Sequence, residues 1–214
     1  MIDQLTRWAA ASGMLVAPLY LTLIFTLGAL EPGFNHRTSL MSMLGGVTGV
    51  RGLAFNLGVN ATGVCVIVFS VGLRRQLSPR WTATVGSIFL LVGGIGLIGA
   101  GVFHCNQDCQ NILIEPDLIG RLHTVLSLFA GLGTGLAPFF IWAAMRSSGK
   151  WKEFVTPTLV AAVLANVPGI VFWITFFADL RVHAVEGLIQ RMGIIVVFIW
   201  IFFLAARMWR NGDT

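Results

Sequence analysis

Charge is what this sequence has least of: Asp, Glu, Lys and Arg together make up 11% of the chain. Hydrophobic residues make up 56%, and the mean hydropathy is +0.84. A soluble fold of this composition would have too little polar surface to cover its core, which leaves the bilayer as the solvent. The period-2 alternation that a membrane barrel needs is also absent, so helices are the one spanning element left. Short chemical signatures are missing too. No HExxH, HxxxH or CxxC spacing occurs, which weakens any reading as a zinc protease or as a dithiol enzyme linked to quinones. The first apolar run has no small-residue cleavage site of the usual kind, and it is long enough to span, so it is read as a helix and not as a signal peptide.

What the sequence does have is six uncharged apolar runs, at 9–29, 52–73, 81–103, 124–145, 154–178 and 192–206. The last is extended backward through Arg191, giving a span over 185–206. Most lie near the roughly 20 residues that cross roughly 30 Å of hydrocarbon as helix. The expectation is an all-α integral membrane protein, a six-helix bundle forming a single transmembrane domain over residues 1–214. If the spans alternate, the side holding both termini carries nine Lys/Arg against three Asp/Glu, and the other side five against six. The positive-inside rule then puts both termini in the cytoplasm and the protein in the cell (inner) membrane. The basic balance, pI about 9.9, is thereby explained by topology and requires no nucleic-acid partner. Membrane lipid is the expected partner. The segment 34–50 is too polar and glycine-rich to span and too apolar for a simple loop, and reads as re-entrant or interfacial on the outer side.

Polar side chains inside the spans are few and ordered. Asn56, Asn60 and Gly63 share one face of the second helix and should point into the bundle; interhelical hydrogen bonding is the bland reading and ligand binding the sharper one. Gly96, Ala100 and His104 share a face of the third helix, and His123, Ser127, Gly131 and Thr134 a face of the fourth. If these stripes meet, His104 and His123 come together in an outward-facing cavity lined by helices two, three, four and six. All four histidines, His36, His104, His123 and His183, fall on the outer side. Imidazole is the commonest ligand for zinc and copper and also holds haem iron, so they are the candidate metal ligands, against a default of interfacial and loop hydrogen bonds. Arg191, about a turn and a half after Glu186, either snorkels to the interface or pairs inside the bundle. Helix five carries Asn166 and Pro168 in its middle. Cys105 and Cys109 face an oxidising compartment under this topology, and a disulfide between them is favoured over free thiols or metal thiolates.

The stretches GVFHCNQDCQ, GRLHTVLSLFAG and AVEGLIQRMGIIVVFIW, with SLMSMLGG before the second helix, resemble the six-span prokaryotic membrane family called domain of unknown function 998 (DUF998). The resemblance covers nearly the whole chain. It implies that His123 and the GL-x-x-R pattern of Gly187, Leu188 and Arg191 are recurring features, while Phe103-His104 departs from the family's usual Phe-Pro. It implies no activity.

Three function classes follow. The first is a metal-assisted lipid or acyl hydrolase at the outer leaflet, with His123, Glu186 and Arg191 as the catalytic set and Asp108, Asp117 or Glu186 as base. The second is a haem or quinone redox protein built on paired histidines. The third is a non-enzymatic protein that binds or transports a lipid or small ligand, or serves as an accessory subunit, with Asn56, Asn60 and Ser127 touching the ligand.

Overall fold

The computed structural model describes residues 4–77, 79–105, 109, 115–178 and 184–210. The described residues form six long helices: α1 (Gln4–Leu30), α2 (Val50–Leu77), α3 (Trp81–Val102), α4 (Leu118–Met145), α5 (Val155–Phe177) and α6 (Glu186–Arg210). All six are long and apolar enough to cross a membrane, and no strand occurs among the described residues. The protein is a multi-pass membrane protein.

The helices run past the uncharged segments. α2 continues through Arg74 and Arg75, and α6 through Arg207 and Arg210, where cations at a helix C-terminus meet the negative end of the macrodipole. α4 begins at Leu118, six residues before the uncharged run, because Arg121 lies on its first turns and its Nε donates to the Glu115 carbonyl at 2.7 Å.

Each helix packs on its neighbours in the chain and α6 returns to α1, closing a ring in sequence order. Two sides of the ring are tight because glycine lets backbones touch. On α3, Gly93 and Gly96 meet Gly133, Thr134 and Ala130 of α4, and Gly94 meets Gly63 of α2. α4 and α5 lie less close together. The start of α1 and the end of α6 lie at one end of the bundle, here called proximal; the end of α1, the starts of α2, α4 and α6 and the ends of α3 and α5 lie at the other, here called distal.

The segment expected to be interfacial forms a strap, residues 34–46, ending in a 3-10 turn (Met41–Gly46) with Leu40, Met41 and Leu44 buried. It crosses the distal mouth of the ring. A second 3-10 turn (Gly149–Phe154) buries Trp151 at the proximal end.

Candidate functional site

A cavity of about 320 Å³ occupies the distal half of the ring. Its wall is mostly aliphatic and aromatic, with Phe55, Val59, Leu97, Phe172, Phe176, Val197 and Phe198 prominent. Polar side chains reach it from six places: Tyr20 on α1, Ser42 on the strap, His123, Thr124, Ser127 and Thr134 on α4, Asn166 and Trp173 on α5, Gln190 on α6, and Glu115 ahead of α4. Helix five, not expected among the walls, supplies a large share of them, while α2 contributes only apolar side chains.

His123 is the best-fixed of these groups. It is 9% exposed, and its Nδ1 lies 3.0 Å from the Ala100 carbonyl and 2.9 Å from the Phe103 carbonyl. Two carbonyls can only accept, so Nδ1 carries the proton and Nε2 of the neutral ring is an acceptor. Ser127, one turn along α4, places its hydroxyl 3.3 Å from that Nε2. The tight α3–α4 packing makes this geometry: with Gly96 against Ala130, the end of α3 comes close enough for its last carbonyls to hold the ring.

Other expected residues fall elsewhere. His104 is exposed, does not line the cavity, and keeps its Nδ1 3.2 Å from the Cys105 carbonyl. His36 lies against Phe25 and Phe34, ring centroids 5.2 Å apart in each case. His183 and Asp108 lie outside the described residues. Among the described residues no three His, Cys, Asp or Glu side chains gather to hold a metal ion, and His36, His104 and His123 stand apart from one another.

Asn56 and Asn60 do not reach the cavity either. Asn56 Nδ2 donates to the Gly45 carbonyl at 3.0 Å, tying down the strap, and Asn60 packs against Gly101 of α3. Phe55 and Val59, one position earlier and so about 100° round the helix, take the cavity face instead. Ser127 does line it. Gly131, expected to face α3, faces α5: a side chain there would meet Trp173 Nε1 at 3.1 Å.

Cys105 and Cys109 are joined as a disulfide, Cα atoms 5.2 Å apart, and both line the distal end of the cavity. Ser42 of the strap touches Cys109 Sγ at 3.2 Å. With Leu40, Phe172 and Phe176 they form a small apolar cluster that roofs the space.

The sequence model of the DUF998 family, described as a protein of unknown function, matches residues 14–207. The chain belongs to the DUF998 family. No curated protein and no solved structure matches it.

In this DUF998 protein the Gly187-Leu188-x-x-Arg191 pattern is a docking device for the strap. Arg191 is 3% exposed, and its Nη1 donates to the Ser39 carbonyl at 2.9 Å and to Gly187 at 2.6 Å. Leu188 N donates to the Arg37 carbonyl at 3.0 Å, and Gln190 Oε1 accepts from Met41 N at 2.7 Å. Gly187 has the Ser39 carbonyl directly against its Cα, where a side chain has no room. The guanidinium also sits over Phe34, 5.5 Å from the ring centre. Glu186 is buried nearby, but no ion pair joins it to Arg191, whereas Arg51 pairs with Glu31 and Arg207 with Glu153. Glu186 and Arg191 therefore stand apart from His123, because their side of α6 faces the strap while Gln190, Ile194 and Val197 face the cavity.

Proposed function

We propose that this DUF998 protein binds an amphiphilic lipid that enters from the bilayer between α4 and α5, with its polar end at His123 and Ser127. One observation carries the reading: Leu132, Ile170 and Ile174 line the cavity and are also exposed on the membrane face. The cavity is thus continuous with the surface that lipid covers, while the strap and the Cys105–Cys109 disulfide roof its distal end. About 320 Å³ is near the lower end of the roughly 300–1,000 Å³ typical of small-molecule sites, enough for a head and the first part of a chain. With the termini in the cytoplasm, as the charge balance favours, the lipid is drawn from the outer leaflet of the cell membrane.

Native mass spectrometry of protein extracted in mild detergent tests this. A retained lipid is expected on the wild type, and Gly131→Leu, which fills the gap facing Trp173, is expected to lose it. A wild type that carries no lipid and takes up none on incubation would discard the proposal.

The Ser127–His123 contact favours a second reading, an acyl hydrolase whose nucleophile is a serine and not a metal-bound water. Ser127 Oγ would bond the acyl carbon while its proton passes to His123 Nε2 and on to the departing alcohol; water would then release the acid. The two backbone carbonyls on Nδ1 would do the orienting that a carboxylate does in a triad. Fluorophosphonate labelling that disappears in Ser127→Ala supports this reading, and absence of labelling removes it.

A further inference from the structure

The polar groups on the cavity wall are of a restricted kind, and we infer that the ligand is an uncharged lipid bearing both a hydroxyl and an ester carbonyl, of the acylglycerol class. The inference rests on the lipid-binding reading and adds the head-group chemistry to it.

Among the described residues no lysine or arginine lines the cavity, and the one formally charged lining side chain is Glu115, a carboxylate. A phosphate or free carboxylate head would enter a mostly apolar space in which no described cation lines the wall to meet it, a large desolvation penalty that the described lining does not offset. Arg191 does not relieve this. It lies outside the wall, turned to the Ser39 and Gly187 carbonyls.

The neutral groups divide into acceptors and donors. His123 spends its one proton on Ala100 and Phe103 and so offers only the Nε2 lone pair. The Ser127 hydroxyl shares that lone pair at 3.3 Å, long for a hydrogen bond, so a ligand hydroxyl can displace it. Asn166 gives its Nδ2 to the Gly135 and Ala162 carbonyls, 2.7 Å each, leaving its oxygen as acceptor. On the other side Gln190 spends its oxygen on Met41 N and keeps its amide protons for the cavity it lines. The Trp173 indole N–H is a second donor, at the gap between α4 and α5. A head with one hydroxyl to give to His123 and one carbonyl to accept from Gln190 or Trp173 satisfies both sets. A plain alcohol or hydrocarbon satisfies at most one.

The test uses acyl chains brominated near the head, which quench tryptophan within contact range. The purified full-length protein in detergent is titrated with brominated diacylglycerol, the matching fatty acid, the matching phosphatidic acid and a brominated alkane, with Trp173→Phe to assign the signal among the seven tryptophans. Saturable quenching by diacylglycerol is expected, at least about tenfold tighter than by either anionic lipid. His123→Phe and Gln190→Leu, each compared with the wild type by thermal unfolding, are expected to weaken diacylglycerol about tenfold and to leave the alkane unchanged, whereas Ser127→Ala, which removes the competitor for His123 Nε2, should not weaken it. Equal or tighter binding of the fatty acid or phosphatidic acid, or indifference to both His123→Phe and Gln190→Leu, overturns the head-group inference while leaving the cavity as a lipid site. Failure of every brominated compound, the alkane included, to quench Trp173 overturns the lipid-binding reading itself.

Discussion

A guanidinium withdrawn from water needs acceptors in place, and at Arg191 the strap supplies the Ser39 carbonyl and α6 its own Gly187 carbonyl, both to Nη1. Hydrogen bonds to a charged group are worth about 1.5–3 kcal/mol each, and a buried carbonyl left without a partner costs a similar amount. Removing Arg191 therefore loosens the strap more than it relieves α6, whose own Gly187 carbonyl keeps a partner in the helix. Arg191→Leu is expected to raise amide exchange across residues 37–46 and to lower folded yield, whereas Arg210→Leu, exposed at the proximal end, should change neither. Gly187→Val should reproduce the exchange defect with the charge intact, since any side chain meets the Ser39 carbonyl; normal protection of 37–46 in both variants would show that the clamp does not hold the strap. His36 belongs to the same corner. Partial burial, and secondarily the Arg191 charge, hold its pKa below the ordinary histidine value. The unfolded chain then takes up the proton first as pH falls, so this contribution to stability is intact above the ordinary histidine range and is lost as pH drops from there to the lowered pKa of the folded form. His36→Gln should flatten the acid side of a melting-temperature profile measured between roughly pH 7.5 and 5, and an unchanged profile would remove His36 as its source.

At the scale of elements, the ring is tight on one flank and slack on the other. Glycine on both faces of α3 draws α2 and α4 to backbone contact, whereas α5 meets α4 through the long side chain of Trp173 and the Asn166 amide. Pro168 withholds one helical hydrogen bond just beyond Asn166, so on the proximal side of the gap Asn166 is the polar tie holding α5 to α4. Asn166→Leu should destabilise by about 0.6 kcal/mol, and by no more than about 1.7 kcal/mol, the range measured for interhelical hydrogen bonds in membranes. It should also speed lipid exchange; thermal unfolding and the rate of brominated-lipid uptake read the two effects separately. Periodicity was enough to identify the stripe on α4, because His123, Ser127 and Thr134 do share the cavity face. It failed for Asn56 and Asn60, because a stripe fixes which residues share a face and not which neighbour that face meets; the rotation of α2 is set by the glycines of α3 and by the Gly45 carbonyl. The cavity role of α5 was illegible for a related reason: nothing in an apolar span marks Trp173 as a lining residue, and it is the gap beside Gly131 of α4 that gives its indole a place.

For the whole molecule, span number and helical class were legible because hydropathy adds along the chain and needs no knowledge of contacts. Which residues meet across the ring does need it, and the dispersal of His36, His104 and His123 is the clearest case: all three lie toward the same end, and each is held by a different local partner. Orientation belongs with the additive quantities. The proximal end holds Arg74, Arg75, Arg80, Arg146, Lys150, Lys152, Arg207 and Arg210, and it is ringed by exposed Trp8, Trp81 and Trp209, the indole-and-cation pattern of a cytoplasmic interface. The distal end has the disulfide, a bond that persists in oxidising compartments. Both favour the proposed orientation, in which the strap faces outward. Single cysteines test it, since Cys65 lies within α2 in the bilayer and the bridged pair does not react with maleimide. In intact cells a membrane-impermeant maleimide should label Thr38→Cys on the exposed strap and should reach Gly149→Cys only after the membrane is permeabilised. The reverse pattern would turn the molecule over, place the cavity in the cytoplasmic leaflet, and leave the Cys105–Cys109 bridge facing a reducing compartment.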